Sequence, residues 1–117
     1  YETHYDRFMK TWAPMDAGLR NQILAARAAL PSVKTPGTAL HDCAALCLAL
    51  GSDGLRGELT LLRAGRALAA FEGDGTLKRS HLRPVAPMAL SHRLRRDPLD
   101  EAGSGARVGR TLAEVLP

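Results

Sequence analysis

Tyr5, Phe8, Met9 and Trp12 stand at the i, i+3, i+4, i+7 spacing of one helical face, and Ala13-Pro14 closes the run. The pattern predicts a short first helix that holds most of the aromatic residues. Asp16 precedes a second helical run with Leu19, Ile23, Ala26 and Leu30 on one face and Arg20 and Arg27 on another, stopped by Pro31. The stretch PSVKTPG reads as a loop. Thr38 is placed to cap a third helix that runs through Leu40, Ala44, Cys47 and Leu48 to Gly51, a C′ glycine. Because this helix is apolar on most sides, it is expected at the centre of the fold.

Ser52 or Asp53 caps a fourth helix, in which Leu55, Leu59, Leu62 and Ala69 form a stripe that Leu61, Leu68 and Phe71 widen. Gly65 permits close helix packing there at a propensity cost of about 1 kcal/mol. After the turn EGDGT, a fifth helix is expected over roughly 78–96, with Leu82, Val85, Met88, Ala89 and Leu94 inward. Pro84 and Pro87 each remove a backbone donor, so a kink is expected near Pro87. Beyond RRDPLDEAGSG, a last helix near 104–116 carries Val108, Leu112 and Val115 as its apolar positions. With no internal repeat or low-complexity segment, the expectation is all-α: one domain over 1–117, a compact bundle of five to six helices with short loops.

Composition supports the helical reading, since 45% of the 117 residues are apolar but only 4% aromatic, with Ala and Leu in place of β-formers. Sixteen Lys and Arg against twelve Asp and Glu give a net charge of +4, carried almost wholly by arginine. An anionic partner fits that balance, but as a nucleic-acid signal it is weak. Cys43 and Cys47, four apart on an apolar helix, read as reduced core thiols in a cytoplasmic protein. No stretch approaches the roughly 18–20 apolar residues of a membrane helix, and no signal peptide is visible. The sequence opens inside a helical pattern and without Met, as a piece of a longer protein would.

The glycines supply no G-x-x-x-x-G-K-[ST] loop, so no triphosphate cradle is encoded here. Gly73-Asp74-Gly75 and Gly103-Ser104-Gly105 read as turns. Cys43 and Cys47, even with His41 nearby, lack the second pair that a zinc site needs. His92, Arg93, Arg95 and Arg96 form a basic knot that a helix C-terminus favours, with Asp97, Asp100 and Glu101 close enough to neutralise it. No nucleophile triad or carboxylate pair emerges from the spacing.

Arg56 is the exception. It falls in the opening turn of the fourth helix, where the dipole is already positive, and it shares a face with Thr60, Arg63 and Ala67 away from the leucines. A solvated surface position accounts for it on periodicity alone. So does an anion addressed jointly by the guanidinium and the free N–H groups of the helix start.

The segments ALGSDGLRGELTLLRAGRALAAFEG and HLRPVAPMALSHRLRRDPLDEAGSGARV resemble the C-terminal helical (lid) domain of the magnesium chelatase I subunit, the AAA+ ATPase of chlorophyll and bacteriochlorophyll biosynthesis. The resemblance runs from about Tyr1 to Pro117 and is most specific at DGLRGELTLLRA and LSHRLRRDPLDEAGS; Pro84 departs from it. It implies that Arg56 is the sensor-2 arginine on the ATP phosphates, with Arg63 supporting the same face. It implies ATP and Mg²⁺ in the full-length assembly, and a ring of I subunits working with a D subunit and with an H subunit that binds the porphyrin receiving Mg²⁺. The P-loop, Walker B carboxylates, sensor 1 and arginine finger would lie on an absent N-terminal part, so this stretch alone would not hydrolyse ATP. The lid of another AAA+ protein of MoxR type and a free-standing basic nucleic-acid-binding module are the alternatives.

Overall fold

Leu46, Leu61, Leu77, Leu82, Leu90, Val108 and Leu116 are almost wholly withdrawn from solvent and meet in one core. Each such leucine contributes about 1.5–3 kcal/mol by its transfer from water. In this computed structural model, which describes residues 2–52, 54–94 and 103–117, five helices form the fold, and the last four of them supply most of that core. They are α1 (Glu2–Ala29), α2 (Gly37–Leu50), α3 (Gly54–Phe71), α4 (Arg79–Leu90) and α5 (Ser104–Val115), with 3-10 turns at Leu30–Ser32 and Ser91–Arg93. Among the described residues there is no strand, and two isolated bridges join Lys34 to Thr76 and Ser52 to Leu94. The all-α bundle expected from the sequence is the fold.

The α3–α4 pair is packed most extensively, and α2 lies against α3, α4 and α5. Close approach of α3 and α4 depends on Gly65, where a Cβ would come within 2.8 Å of Leu82 Cδ2 and 2.9 Å of Leu77 Cδ1. The inward face of α3 therefore runs through Gly57, Leu61, Gly65 and Ala69. This corrects the expected stripe, for Leu55 and Leu59 are exposed. Small residues mark the tightest contact, and leucines flank it.

α1 is one continuous helix of 28 residues, with Pro14 inside it. The expected break at Ala13-Pro14 does not occur. Pro14 has no N–H for the Lys10 carbonyl, but Lys10 is on an exposed part of the helix, where water replaces the lost donor. Only the C-terminal part of α1 joins the bundle, with Ala26 and Leu30 packed on Val33, Ala69 and Ala70. The radius of gyration is accordingly 18.0 Å, against about 13 Å for a compact domain of this length.

Two other boundaries differ from expectation. α2 begins at Gly37 behind an extended Pro36 with no side-chain cap, so Thr38 sits inside the first turn and caps nothing. α4 ends at Leu90 and tightens into the 3-10 turn, short of the expected 96. Pro84 and Pro87 both lie within α4, and the carbonyls they leave unpaired belong to Ser80 and Arg83, which are exposed. Met88 also turns outward, since it lies about 120° from the Leu82-Ala86-Ala89 face at 100° per residue. Gly51 does close α2, in the left-handed conformation at φ 67°, and Ser52 N–H reaches back to the Cys47 carbonyl at 3.0 Å.

Candidate functional site

The α2–α3 junction positions Arg56. Gly51 reverses the chain, the Ser52–Leu94 bridge ties the junction to the segment after α4, and Gly57 lets Ser52 lie against the first turn of α3. A Cβ on Gly57 would collide with Ser52 Oγ and come within 3.4 Å of Leu90 Cδ2. Ser52 Oγ is buried there without a hydrogen-bond partner. Asp53, the alternative cap, lies outside the described residues.

Arg56 is the third residue of α3 and is exposed, as are Arg63 and Ala67 on the same side. Thr60, half-buried between them, donates its hydroxyl to the Arg56 carbonyl at 2.7 Å. Among the described residues neither Arg56 nor Arg63 has an acidic partner, whereas other arginines are engaged within the fold. The two do not converge on one point, because seven residues of helix separate them by roughly 10 Å of rise. Arg56 alone stands at the helix start, beside N–H groups that no intrahelical carbonyl can use.

Other polar groups, which the sequence did not disclose, hold the frame. Asp42 is buried on α2 and receives a bidentate pair from Arg79 at the start of α4, Nε to Oδ2 at 2.8 Å and Nη2 to Oδ1 at 3.1 Å. The hydrogen bonds to Asp42 and then its negative charge push the Arg79 guanidinium pKa up. Arg66 donates Nη2 to the Leu30 and Val33 carbonyls, both at 3.1 Å, pinning the end of α1 to α3. A carboxylate on so apolar a helix as α2 was a legible sign that a partner existed, but not which one. Nothing in the pattern set Arg66 apart from Arg63.

His81 is fully buried, its Nδ1 accepting the Lys78 N–H at 3.0 Å and its Nε2 lying 2.7 Å from Asp74 Oδ2. With Glu72 these groups come within 4.8 Å of one another, close enough to suggest a cation site. The hydrogen bonding argues otherwise. If Nδ1 accepts a backbone proton, Nε2 carries the ring hydrogen and donates it to Asp74, so no lone pair is left for a metal.

Cys43 and Cys47 are free and buried, as core thiols should be. Burial, then Cys47, Asp42 and Glu58, push the Cys43 thiol up to about 12; burial and Glu58 push Cys47 to about 11. Thiols held protonated in this way are poor nucleophiles near neutrality, and His41 is exposed. Of the basic knot, His92 is exposed and Arg93 half-buried in the 3-10 turn, its Nε enclosed without a partner. Arg95, Arg96, Asp97, Asp100 and Glu101 lie outside the described residues.

Residues 40–112 match the AAA lid domain. The magnesium-chelatase 38 kDa subunit of Cereibacter sphaeroides is 71% identical over 117 residues, all of this chain and 35% of that protein. Its counterpart in Rhodobacter capsulatus is 66% identical over the same 117 residues, 33% of its length. This chain therefore spans about a third of the length of the curated relatives it matches. A solved structure of the complex between the BchI and BchD subunits of magnesium chelatase contains a chain 58% identical, with a TM-score of 0.54 over 95% of this chain and 31% of that one. With an all-α bundle, a sequence match across most of the chain and relatives of this identity, the chain belongs to the AAA lid domain family, and within it stands with the lids of the magnesium-chelatase I subunits.

Proposed function

We propose that this chain is the lid of the ATP-hydrolysing motor subunit of a cytoplasmic magnesium chelatase, with Arg56 as its sensor-2 arginine. The observation that carries the reading is the exposed guanidinium at the start of α3, unpaired among the described residues. An anionic phosphate suits that place, because guanidinium and unused helix N–H groups address the same charge. ATP would supply the free energy for Mg²⁺ insertion into protoporphyrin IX, on the bacteriochlorophyll branch of biosynthesis. This chain's part is to hold Arg56 against the phosphates and move with the lid.

Arg63, two turns further along the same face, supports the nucleotide side of the lid. The packed glycine and alanine positions of α3 make the helix a rigid lever, so displacement of the bundle moves Arg56 with it. A second I subunit in the ring and the D subunit are the expected protein neighbours, and the H subunit carries the porphyrin. The structure with BchI and BchD together supports the I and D pairing.

The test is ATP hydrolysis and Mg²⁺ insertion by the full-length parent carrying Arg56→Ala, alongside the wild type and reconstituted with its D and H partners. The expected result is loss of turnover with ring assembly intact. Wild-type turnover in the variant would overturn the assignment.

A further inference from the structure

Ser52 Oγ is enclosed at the α2–α3 junction with no hydrogen-bond partner. Burying a hydroxyl dry and unpaired is unfavourable, so a role other than hydrogen bonding has to account for it. Its position supplies one. The Ser52 backbone is held from two sides: its N–H is bound to the Cys47 carbonyl at 3.0 Å, behind the left-handed Gly51, and its bridge to Leu94 ties it to the segment after α4. Oγ therefore presents a fixed surface to the start of α3.

The residue that meets this surface is Gly57, buried one position after the exposed Arg56. A Cβ on Gly57 would collide with Ser52 Oγ, whereas Ser52 Cβ would lie 3.6 Å away and Leu90 Cδ2 3.4 Å away, both ordinary contacts. The obstacle is thus a single oxygen atom. With Oγ enclosed and Leu90 wholly buried, a methyl at position 57 gains room by lifting the first turn of α3. Arg56 would move with that turn, since its Cα is only about 3.8 Å from that of Gly57. Misplacing by about 1 Å a group that addresses a reacting phosphate can cost about a hundredfold in rate.

We propose that Gly57 is a positioning residue that acts through Arg56, and that the Ser52 hydroxyl is the gauge against which the first turn of α3 is seated. Only a residue without a side chain closes that distance and brings the guanidinium to its place at the phosphates. The proposal rests on the sensor-2 reading of Arg56 and adds the two residues that set where its guanidinium stands. The unpaired oxygen serves as bulk of a defined size rather than as a donor.

The test is a set of double-mutant cycles in the full-length parent, reading kcat/KM for hydrolysis of radiolabelled ATP so that the residual rate of the Arg56→Ala parent can be followed. Gly57→Ala should lower kcat/KM by at least about tenfold, with ring assembly intact. In the Ser52→Ala parent, where the obstructing oxygen is gone, the same change should cost less than about twofold. In the Arg56→Ala parent it should again cost less than about twofold, because nothing is left to position. A tenfold loss that persists in the Ser52→Ala parent would overturn the steric gauge, and one that persists in the Arg56→Ala parent would overturn action through Arg56. Loss of ring assembly by Gly57→Ala would assign the glycine to the fold instead. Wild-type hydrolysis in Gly57→Ala, with Arg56→Ala inactive, would overturn this proposal alone; wild-type hydrolysis in Arg56→Ala would overturn the sensor-2 reading beneath it.

Discussion

Arg56 and Arg66 are both arginines of α3, and the fold uses them in opposite ways. Arg66 is half-buried with its guanidinium on two carbonyls, so Arg66→Ala should loosen the end of α1 and destabilise the protein by about 1–3 kcal/mol. Arg56→Ala should change folding stability by less than about 0.5 kcal/mol, since an exposed side chain outside the packing leaves little behind. Urea denaturation of the two variants checks both expectations, and a large loss with Arg56→Ala would make that residue structural. The buried thiols give a pH dependence. Cys43 and Cys47 are raised from 9.0 to about 12 and about 11 in the folded state, so the native protein holds their protons longer than the unfolded chain does. Their stabilisation is complete below pH 9 and is lost as pH rises through the folded values. A Cys43→Ala, Cys47→Ala double variant should therefore show a shallower fall in Tm between pH 9 and 11 than wild type. Equal slopes would refute the assignment. That these thiols belong to the core was readable from their spacing on an apolar helix; that the charge of Glu58 adds to their shift was not, because that contact depends on how α2 and α3 meet.

α3 shows how far periodicity reaches. The helix and its charged face were legible from the sequence, but its inner face was not, because close packing selects Gly57, Gly65 and Ala69, which carry little hydrophobic signal. Leu55 and Leu59 gave the stronger pattern and are exposed. Gly65→Ala isolates the effect. It gains about 1 kcal/mol of helix propensity but sets a methyl within 3 Å of two leucine ends, Leu77 and Leu82, that are themselves enclosed. Overpacking of that kind costs about 1–3 kcal/mol, so the variant should be net destabilised. Gly109→Ala on α5 is the matched control, since nothing lies within 4 Å of the new Cβ. It should stabilise by up to about 1 kcal/mol. If thermal unfolding placed both variants on the same side of wild type, the close approach of α3 and α4 would not be the reason for Gly65. α1 teaches the complementary lesson: Pro14 was a sound signal for a break, overridden because the carbonyl it orphans faces water.

A net charge of +4 suggests an electropositive molecule, but among the described residues several of its arginines are engaged within the fold. Arg79 is bound to Asp42, Arg66 is turned onto carbonyls, and Arg93 is half-buried. Arg56 and Arg63 are exposed, aligned along one helix edge and separated by two turns. A phosphate backbone would need several cations in a stripe, each contributing about −0.9 to the slope of log affinity against log salt. Two arginines at this spacing provide at most about two such contacts. A fluorescence titration with duplex and single-stranded oligonucleotides should accordingly give weak, sequence-independent binding with a slope no steeper than about −2. A slope near −5 would require a basic surface that Arg56 and Arg63 cannot supply and would favour a nucleic-acid-binding module. One guanidinium at a helix start suits a single compact phosphate group far better than a polymer of them.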